Sequence, residues 1–172
     1  MKEGLLEPSR QYWKTALASL PTVHQSPVDY PRPTIRTFEG NQASVSLQPS
    51  LVSEIEQWSS TRGMTLFMTV HAAFSLLLSR LSQAEELVVG VPAGGRTNSD
   101  FSQVVGYLSN LVLLRTEYNP QMRVDAYCEQ INQRNLDALK HQNYPFECVM
   151  EELDYSTNPS FNPLFQVVLS VD

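Results

Sequence analysis

The side chains considered first for chemistry in this sequence are three histidines, two cysteines and the adjacent carboxylates Glu151 and Glu152. His24 lies in a proline-rich stretch and reads as a solvated imidazole. His71 sits inside a strongly apolar run, where a core or partner-face ring with one hydrogen bond is expected; a catalytic histidine needs an orienting partner. No two histidines are spaced to hold a metal, and neither H-E-x-x-H nor C-x-x-C occurs. Cys128 and Cys148 are too far apart for a metal motif and too few for a disulfide framework. They read as core thiols in a reducing cytoplasm. Glu151 and Glu152 are neighbours on a helix and so point in different directions, which makes them a poor acid–base pair. There is no G-x-S-x-G elbow, and Gly94-Gly95-Arg96 reads as a turn. These residues assign no catalytic group and no metal ligand.

The elements that position these residues follow from hydrophobic spacing. Pro8 suits a first helical turn, and Tyr12, Trp13, Ala16, Leu17 and Leu20 recur at helical spacing before Pro21. Pro21, Pro27, Pro31 and Pro33 predict an extended crossing segment. Ile35–Phe38 and Ala43–Leu47, flanking Glu39-Gly40-Asn41, predict a hairpin. Leu51, Ile55 and Trp58 mark a helix from Pro49 that Gly63 ends. Thr65 reads as the N-cap of a helix through Leu81, so apolar at Phe67, Val70, Phe74, Leu77, Leu78 and Leu81 that burial on most sides is expected. Leu87–Val91 and Leu111–Thr116 are unbroken apolar runs, typical of strands covered on both faces. Between them, residues 93–102 read as a loop. Helices are expected over Arg123–Lys140, with Tyr127, Ile131 and Leu139 partly on one face, and over Phe146–Leu153. Leu164–Val171 reads as a final strand. Interleaved helices and strands predict an α/β layered domain, a mixed sheet covered by helices with a proline-rich extended segment near the N-terminus.

The composition fits one ordinary globular domain: 172 residues, 42% hydrophobic and 17% charged. A net charge of −6 argues against binding nucleic acid or an anionic membrane, which need a cationic surface. The longest apolar run, Ala72–Leu78, falls far short of the roughly 20 residues that span a bilayer. The polar start Met1–Ser9 does not read as a signal peptide, and a cytoplasmic location is expected.

Three stretches carry more information. Val104-Val105-Gly106-Tyr107-Leu108-Ser109-Asn110, running on to Leu114-Arg115, resembles the fifth core motif of the condensation domains of nonribosomal peptide synthetases. His141-Gln142-Asn143-Tyr144-Pro145-Phe146-Glu147 resembles the sixth, with Asn143 where an aspartate is common. Asn162-Pro163-Leu164-Phe165-Gln166 matches the core of the seventh. Tyr12-Trp13, Thr65-Leu66-Phe67-Met68 and Val88-Val89-Gly90-Val91-Pro92 add to the likeness, which runs through nearly the whole chain in the family's order. In the fifth motif, Tyr107-Leu108-Ser109 replaces the commoner aromatic pair plus valine, and Leu111 replaces a frequent threonine.

The resemblance implies a single chloramphenicol-acetyltransferase-like lobe, the C-terminal one of the two that face each other across a tunnel. The family's H-H-x-x-x-D-G motif belongs to the N-terminal lobe and does not occur in these 172 residues. The implied function is half of a peptide-bond-forming enzyme, inactive alone, in which a carrier-bound donor acyl group passes to a carrier-bound acceptor amine. The implied partners are an N-terminal condensation lobe, peptidyl carrier proteins with their phosphopantetheine arms, and neighbouring synthetase domains. No cofactor is expected to bind directly. A non-catalytic lobe that binds carrier protein, or a scaffold, is the alternative. Gly106, Tyr107, Ser109 and Asn110 are the expected tunnel residues, with Gly106 allowing close backbone approach or an unusual dihedral. Asn110 could orient a thioester carbonyl or instead satisfy backbone at a strand end, and both readings stand. Arg115, His141, Pro145, Phe146, Pro163 and Phe165 are expected to be structural. An isolated lobe would expose apolar surface and is expected to self-associate or to be only marginally stable.

Overall fold

A computed structural model describes residues 6–20, 23, 28–95, 103–155 and 158–171. His24, Pro21, Pro27, Arg96 and most of the predicted loop over residues 93–102 lie outside these. The described elements run α1 (Glu7–Ala16), α2 (Pro49–Ser60), α3 (Leu66–Ser82), β1 (Glu86–Ala93), β2 (Asn110–Glu117), α4 (Val124–Lys140) and α5 (Phe146–Glu152). The two strands are antiparallel, pairing Glu86 with Glu117 through to Ala93 with Asn110. Consecutive buried residues, Leu87–Gly90 on β1 and Val112–Leu114 on β2, mean that both faces of the ribbon are covered. One core joins α1, α4 and α5 to the sheet through Trp13, Leu17, Val88, Val112, Leu114, Ala138 and Val149. A second, of Met64, Met68, Ala72, Tyr127, Cys128 and Ile131, lies where α3 meets α4.

Several boundaries follow sequence chemistry. Thr65 caps α3, its side chain accepting from the Met68 amide at 3.2 Å. Pro49 occupies the first turn of α2, and Gly63, at φ +64°, takes the left-handed turn just beyond it. α1 stops at Ala16 rather than continuing to Leu20; Leu17 and Leu20 still reach the core, from a turn with Ser19 at φ +59°.

Four expectations need correction. The hairpin over residues 35–47 is absent: this stretch has no ladder, and Ile35, Phe38, Val45 and Leu47 are all exposed. An alternating pattern makes a strand when one face is buried, and here the apolar side chains stay exposed. The final strand shrinks to one parallel bridge between Gly90 and Val168, closed by Gly90 N to Val167 O and Leu169 N to Gly90 O, both 2.9 Å. α3 is not buried on most sides, since Leu77 and Leu81 are 53% and 55% exposed. Its buried stripe is instead Met68, His71, Ala72, Ser75 and Ser79, four of them small or polar. Small side chains let two elements approach closely, so they, rather than the leucines, face the neighbours. On α4 the buried face runs through Tyr127, Cys128, Ile131, Asn135 and Ala138, leaving Leu139 exposed.

His71 is 1% exposed, and its Nδ1 lies 3.0 Å from Asn135 Nδ2, which also donates to the Ile131 carbonyl at 2.7 Å. An amide nitrogen can only donate, so Nδ1 accepts and the proton of the neutral ring sits on Nε2. Burial pulls the imidazole pKa from 6.5 down to about 4. The folded state therefore refuses a proton that the unfolded chain accepts. Stability is unaffected by this group above pH 6.5 and falls by about 1.4 kcal/mol per unit from there toward pH 4. Urea unfolding at pH 7 and pH 5 should show that His71→Phe loses about 2 kcal/mol less than the parent over this interval.

Candidate functional site

The sequence motifs converge at the start of β2. The Asn110 side chain is turned toward the α4–α5 connection. Its Nδ2 donates to the Gln142 carbonyl at 2.8 Å and the Tyr144 carbonyl at 2.7 Å, while its Oδ1 accepts from the Phe146 amide at 3.1 Å. Two carbonyls on one side and an N–H on the other fix the orientation of the amide. Every side-chain bond that Asn110 makes here goes to backbone. The Phe146 amide opens α5, where a first-turn N–H has no partner within its own helix. Pro145 stands at the N-cap without a side-chain hydrogen bond, so Asn110 does the capping from another element.

From Phe146 the chain of contacts continues. Its ring meets Phe165 edge-on, with centroids 5.8 Å apart. Phe165 lies over Gly90, where an added Cβ would come within 3.0 Å of Phe165 Cδ2 and 3.2 Å of Cε2. Glycine at residue 90 thus makes room for the ring beside the bridge to Val168. Pro163 and Leu164 are buried with Phe165, Leu164 in the left-handed region at φ +69°. Such a backbone is costly for a bulky residue and is held here by a fully buried side chain.

Arg115, further along β2, reaches the end of α1. Its Nη1 donates to the Ala16 and Ala18 carbonyls, both at 3.1 Å, and its Nη2 to Glu86 at 2.9 Å. A cation on the last carbonyls of a helix satisfies orphan acceptors and complements the dipole. His141 holds the other side of α1. Its Nδ1 shares a 3.0 Å hydrogen bond with Ser9 Oγ, its ring stacks on Tyr12 at 4.3 Å, and its carbonyl accepts from Trp13 Nε1 at 3.1 Å. Arg10 grips Glu152 through Nε at 2.6 Å and Nη2 at 3.1 Å, and these bonds hold the Glu152 carboxyl below its usual range. The α1 docking pairs, Arg10–Glu152 and Ser9–His141, lie 142 and 132 residues apart and leave no local pattern in the sequence.

The expected tunnel residues separate. Ser109 lines a cleft of about 250 Å³ with Phe67, Val91, Pro92, Ala93, Gly94, Ser170 and Val171. Gly106 and Tyr107 do not line it; both are exposed, Tyr107 at 92%. The glycine argument for residue 106 also fails. A Cβ there meets nothing within 4 Å, and Gly106 is not among the glycines at positive φ. Gly95 has those properties instead: φ is +65° and a Cβ would collide with the Leu108 carbonyl. Phe67 and Ser170 were not expected at the cleft, because each is brought beside it only by tertiary packing. Among the described residues no three His, Cys, Asp or Glu side chains gather as a metal site. No described helix is long and apolar enough to cross a membrane.

With this geometry in place, comparison with known proteins is decisive. The profile of the family described as "Condensation domain" matches residues 2–172. The chain belongs to the condensation-domain family. It is 34% identical over 171 residues to gramicidin S synthase 2 of Brevibacillus brevis, a match that covers 99% of this chain and 4% of that protein. Surfactin synthase subunit 1 of Bacillus subtilis is 32% identical over 160 residues, covering 93% and 4%. Among solved structures, a four-domain nonribosomal peptide synthetase bound to AMP and glycine superposes with a TM-score of 0.91 at 28% identity, over 94% of this chain and 12% of that one. The X-domain from teicoplanin biosynthesis superposes at 0.90 and 21% identity, over 98% and 38%, and shares the fold. This condensation-domain chain spans only a few per cent of the length of its synthase relatives.

If Asn110 works as a backbone staple, Asn110→Ala strands two carbonyls and one amide and costs about 2–3 kcal/mol. Asn110→Asp should be no milder, because a carboxylate cannot donate to the Gln142 and Tyr144 carbonyls. Thermal unfolding of the two variants checks this; an Asp variant as stable as the parent contradicts it.

Proposed function

We propose that this chain is the C-terminal, chloramphenicol-acetyltransferase-like lobe of a nonribosomal peptide synthetase condensation domain, and that its 250 Å³ cleft at Ser109 is its share of the substrate tunnel. The observation that carries the reading is this cleft, sited in a family-matching chain where the fifth-motif strand, the end of β1 and the segment after the seventh motif meet. A tunnel wall of this kind shapes and orients; it does not itself move a proton. Among the described residues nothing beside the cleft is a ready base. His71 is buried against Asn135 and is held neutral, and His141 is engaged by Ser9, Tyr12 and Trp13. In this reading an N-terminal lobe carrying the H-H-x-x-x-D-G motif supplies the base for the acceptor amine.

In this account the phosphopantetheine arms of donor and acceptor carrier proteins bring the reacting groups to the cleft. The donor thioester carbonyl is attacked by the acceptor amine, the carbon–sulfur bond breaks, and an amide and a free thiol result. The lobe contributes proximity and orientation, which in acyl transfer lower a barrier substantially. Neighbouring synthetase domains supply the loaded carriers.

Intact-protein mass spectrometry tests the proposal. Loaded donor and acceptor carrier proteins are mixed with this chain, with and without a separately supplied N-terminal condensation lobe that has been shown to associate. Dipeptidyl product on the acceptor only when both lobes are present is the expected result. Product from this chain alone, or none with the associated pair, contradicts it.

A further inference from the structure

The Ser109 cleft is small, and one side chain accounts for most of what could change its size. At about 250 Å³ it lies just below the roughly 300–1,000 Å³ typical of small-molecule pockets. Of the eight described residues that line it, four are already small: Ala93, Gly94, Ser109 and Ser170. Val91 and Pro92 belong to the β1 ladder, opposite Val112 and Leu111. Phe67 is the largest side chain of the lining and its one aromatic ring among the described residues.

Phe67 is held from behind. It lies in the first turn of α3, whose start is fixed by the Thr65 cap. One turn on, His71 stacks against it, with ring centroids 6.0 Å apart and planes 18° from parallel. His71 is fully buried and tied to Asn135 on α4, so the ring behind Phe67 is itself fixed. Phe67 also packs against both hydrophobic cores, the one under the sheet and the one where α3 meets α4. Close-packed backing of this kind leaves the ring no space to retreat when a larger group enters. The Ser109 wall is constrained as well. Gly95 approaches the Leu108 carbonyl so closely that a Cβ has no room there, and Leu108 leads directly into Ser109.

We propose, on the reading of this cleft as substrate-binding, that Phe67 sets the upper size of the acyl or aminoacyl side chain it admits. Small side chains are preferred, and shortening the ring extends the range to aromatic ones. Rigid apolar walls can discriminate in this way, because a methylene too many or too few already changes specificity by tenfold or more.

Two measurements test this. In the first, the chain and its N-terminal lobe receive a mixture of donor carriers loaded with glycine, leucine or tryptophan against one fixed acceptor. A second series loads the acceptor carriers with the same three residues against one fixed donor. Products are read as ratios by mass spectrometry, which removes any change in total activity. The parent should favour glycine over tryptophan in one of the two series. Phe67→Ala should raise the tryptophan-to-glycine ratio in that series by about tenfold. Phe67→Leu, which keeps more of the core filled, should give a smaller rise. Leu77→Ala, a truncation on the exposed face of the same helix, should leave the ratio unchanged. A fall in all products at constant ratio for both Phe67 variants would reduce Phe67 to a structural residue and overturn the proposal.

The second measurement involves neither carrier nor transfer. N-acetylcysteamine thioesters of propionic and indolylacetic acid are titrated into the chain, with the Gly94 and Ser109 amides followed by NMR. The propionyl thioester should shift both amides in the parent and in F67L. The indolyl thioester should bind the parent several-fold more weakly than it binds F67L. Equal binding of the indolyl thioester to both proteins would overturn the proposal. The two readings thus fail separately. Size sorting in the titration without any dipeptide product refutes condensation and leaves Phe67 its role, whereas dipeptide product at an unchanged ratio refutes the role of Phe67 alone.

Discussion

One carboxamide holds the motif-bearing part of this protein together. Asn110 offers two donors and an acceptor, and the α4–α5 connection presents the complementary set: the carbonyls of Gln142 and Tyr144 and the amide of Phe146. Backbone groups removed from water without partners cost far more than a formed hydrogen bond returns, so this turn can pack against the sheet only if something answers all three. Asparagine does so with one short side chain. An aspartate lacks the donors, and an apolar residue lacks both kinds of group. With the turn fixed, Phe146 is aimed at Phe165, Phe165 sits over Gly90, and the last segment joins β1 through a single bridge. Arg115, on the same strand as Asn110, extends the arrangement to the C-terminal end of α1.

The division between support and site follows from this. Asn110, Arg115, Phe146 and Phe165, which tie the motifs together, are not part of the lining of the Ser109 cleft, which is bounded by Phe67, the end of β1, Ser109 and Ser170. Asn110 opens β2 and bonds the α4–α5 connection, while Ser109, just before the strand, lines the cleft. One residue of the fifth motif thus builds the domain while its neighbour lines the cleft. The histidines divide in a similar way: His71 belongs to the polar seam between α3 and α4, and His141 to the seat of α1.

Much of this was legible in the sequence. The Thr65 cap, the Pro49 start and the unbroken apolar runs of β1 and β2 are local signals, and each marks an element that is present. The order of the motif-like stretches pointed to the condensation-domain family. What failed was whatever depends on a neighbour. The apolar residues of α3 could not reveal that Ala72, Ser75 and Ser79 make the close contact while Leu77 and Leu81 look outward. Alternation in residues 43–47 suggested a strand without supplying a face to cover it. The two readings of Asn110 could not be separated, because its three partners lie 32 to 36 residues away. Gly106 was read as the glycine under constraint, whereas the requirement falls on Gly95, against Leu108.

The most direct measurement is amide hydrogen exchange at Phe146, followed by NMR in the folded chain. As the first residue of α5 this amide has no acceptor within its helix, so only the Asn110 carboxamide can protect it. The account predicts protection comparable with that of the buried Leu114 amide of β2, which faces Val89 of β1 in the ladder. Exchange as fast as that of an exposed first-turn amide would mean that Asn110 does not hold the turn, and that the arrangement from Phe146 to Gly90 stands on other contacts.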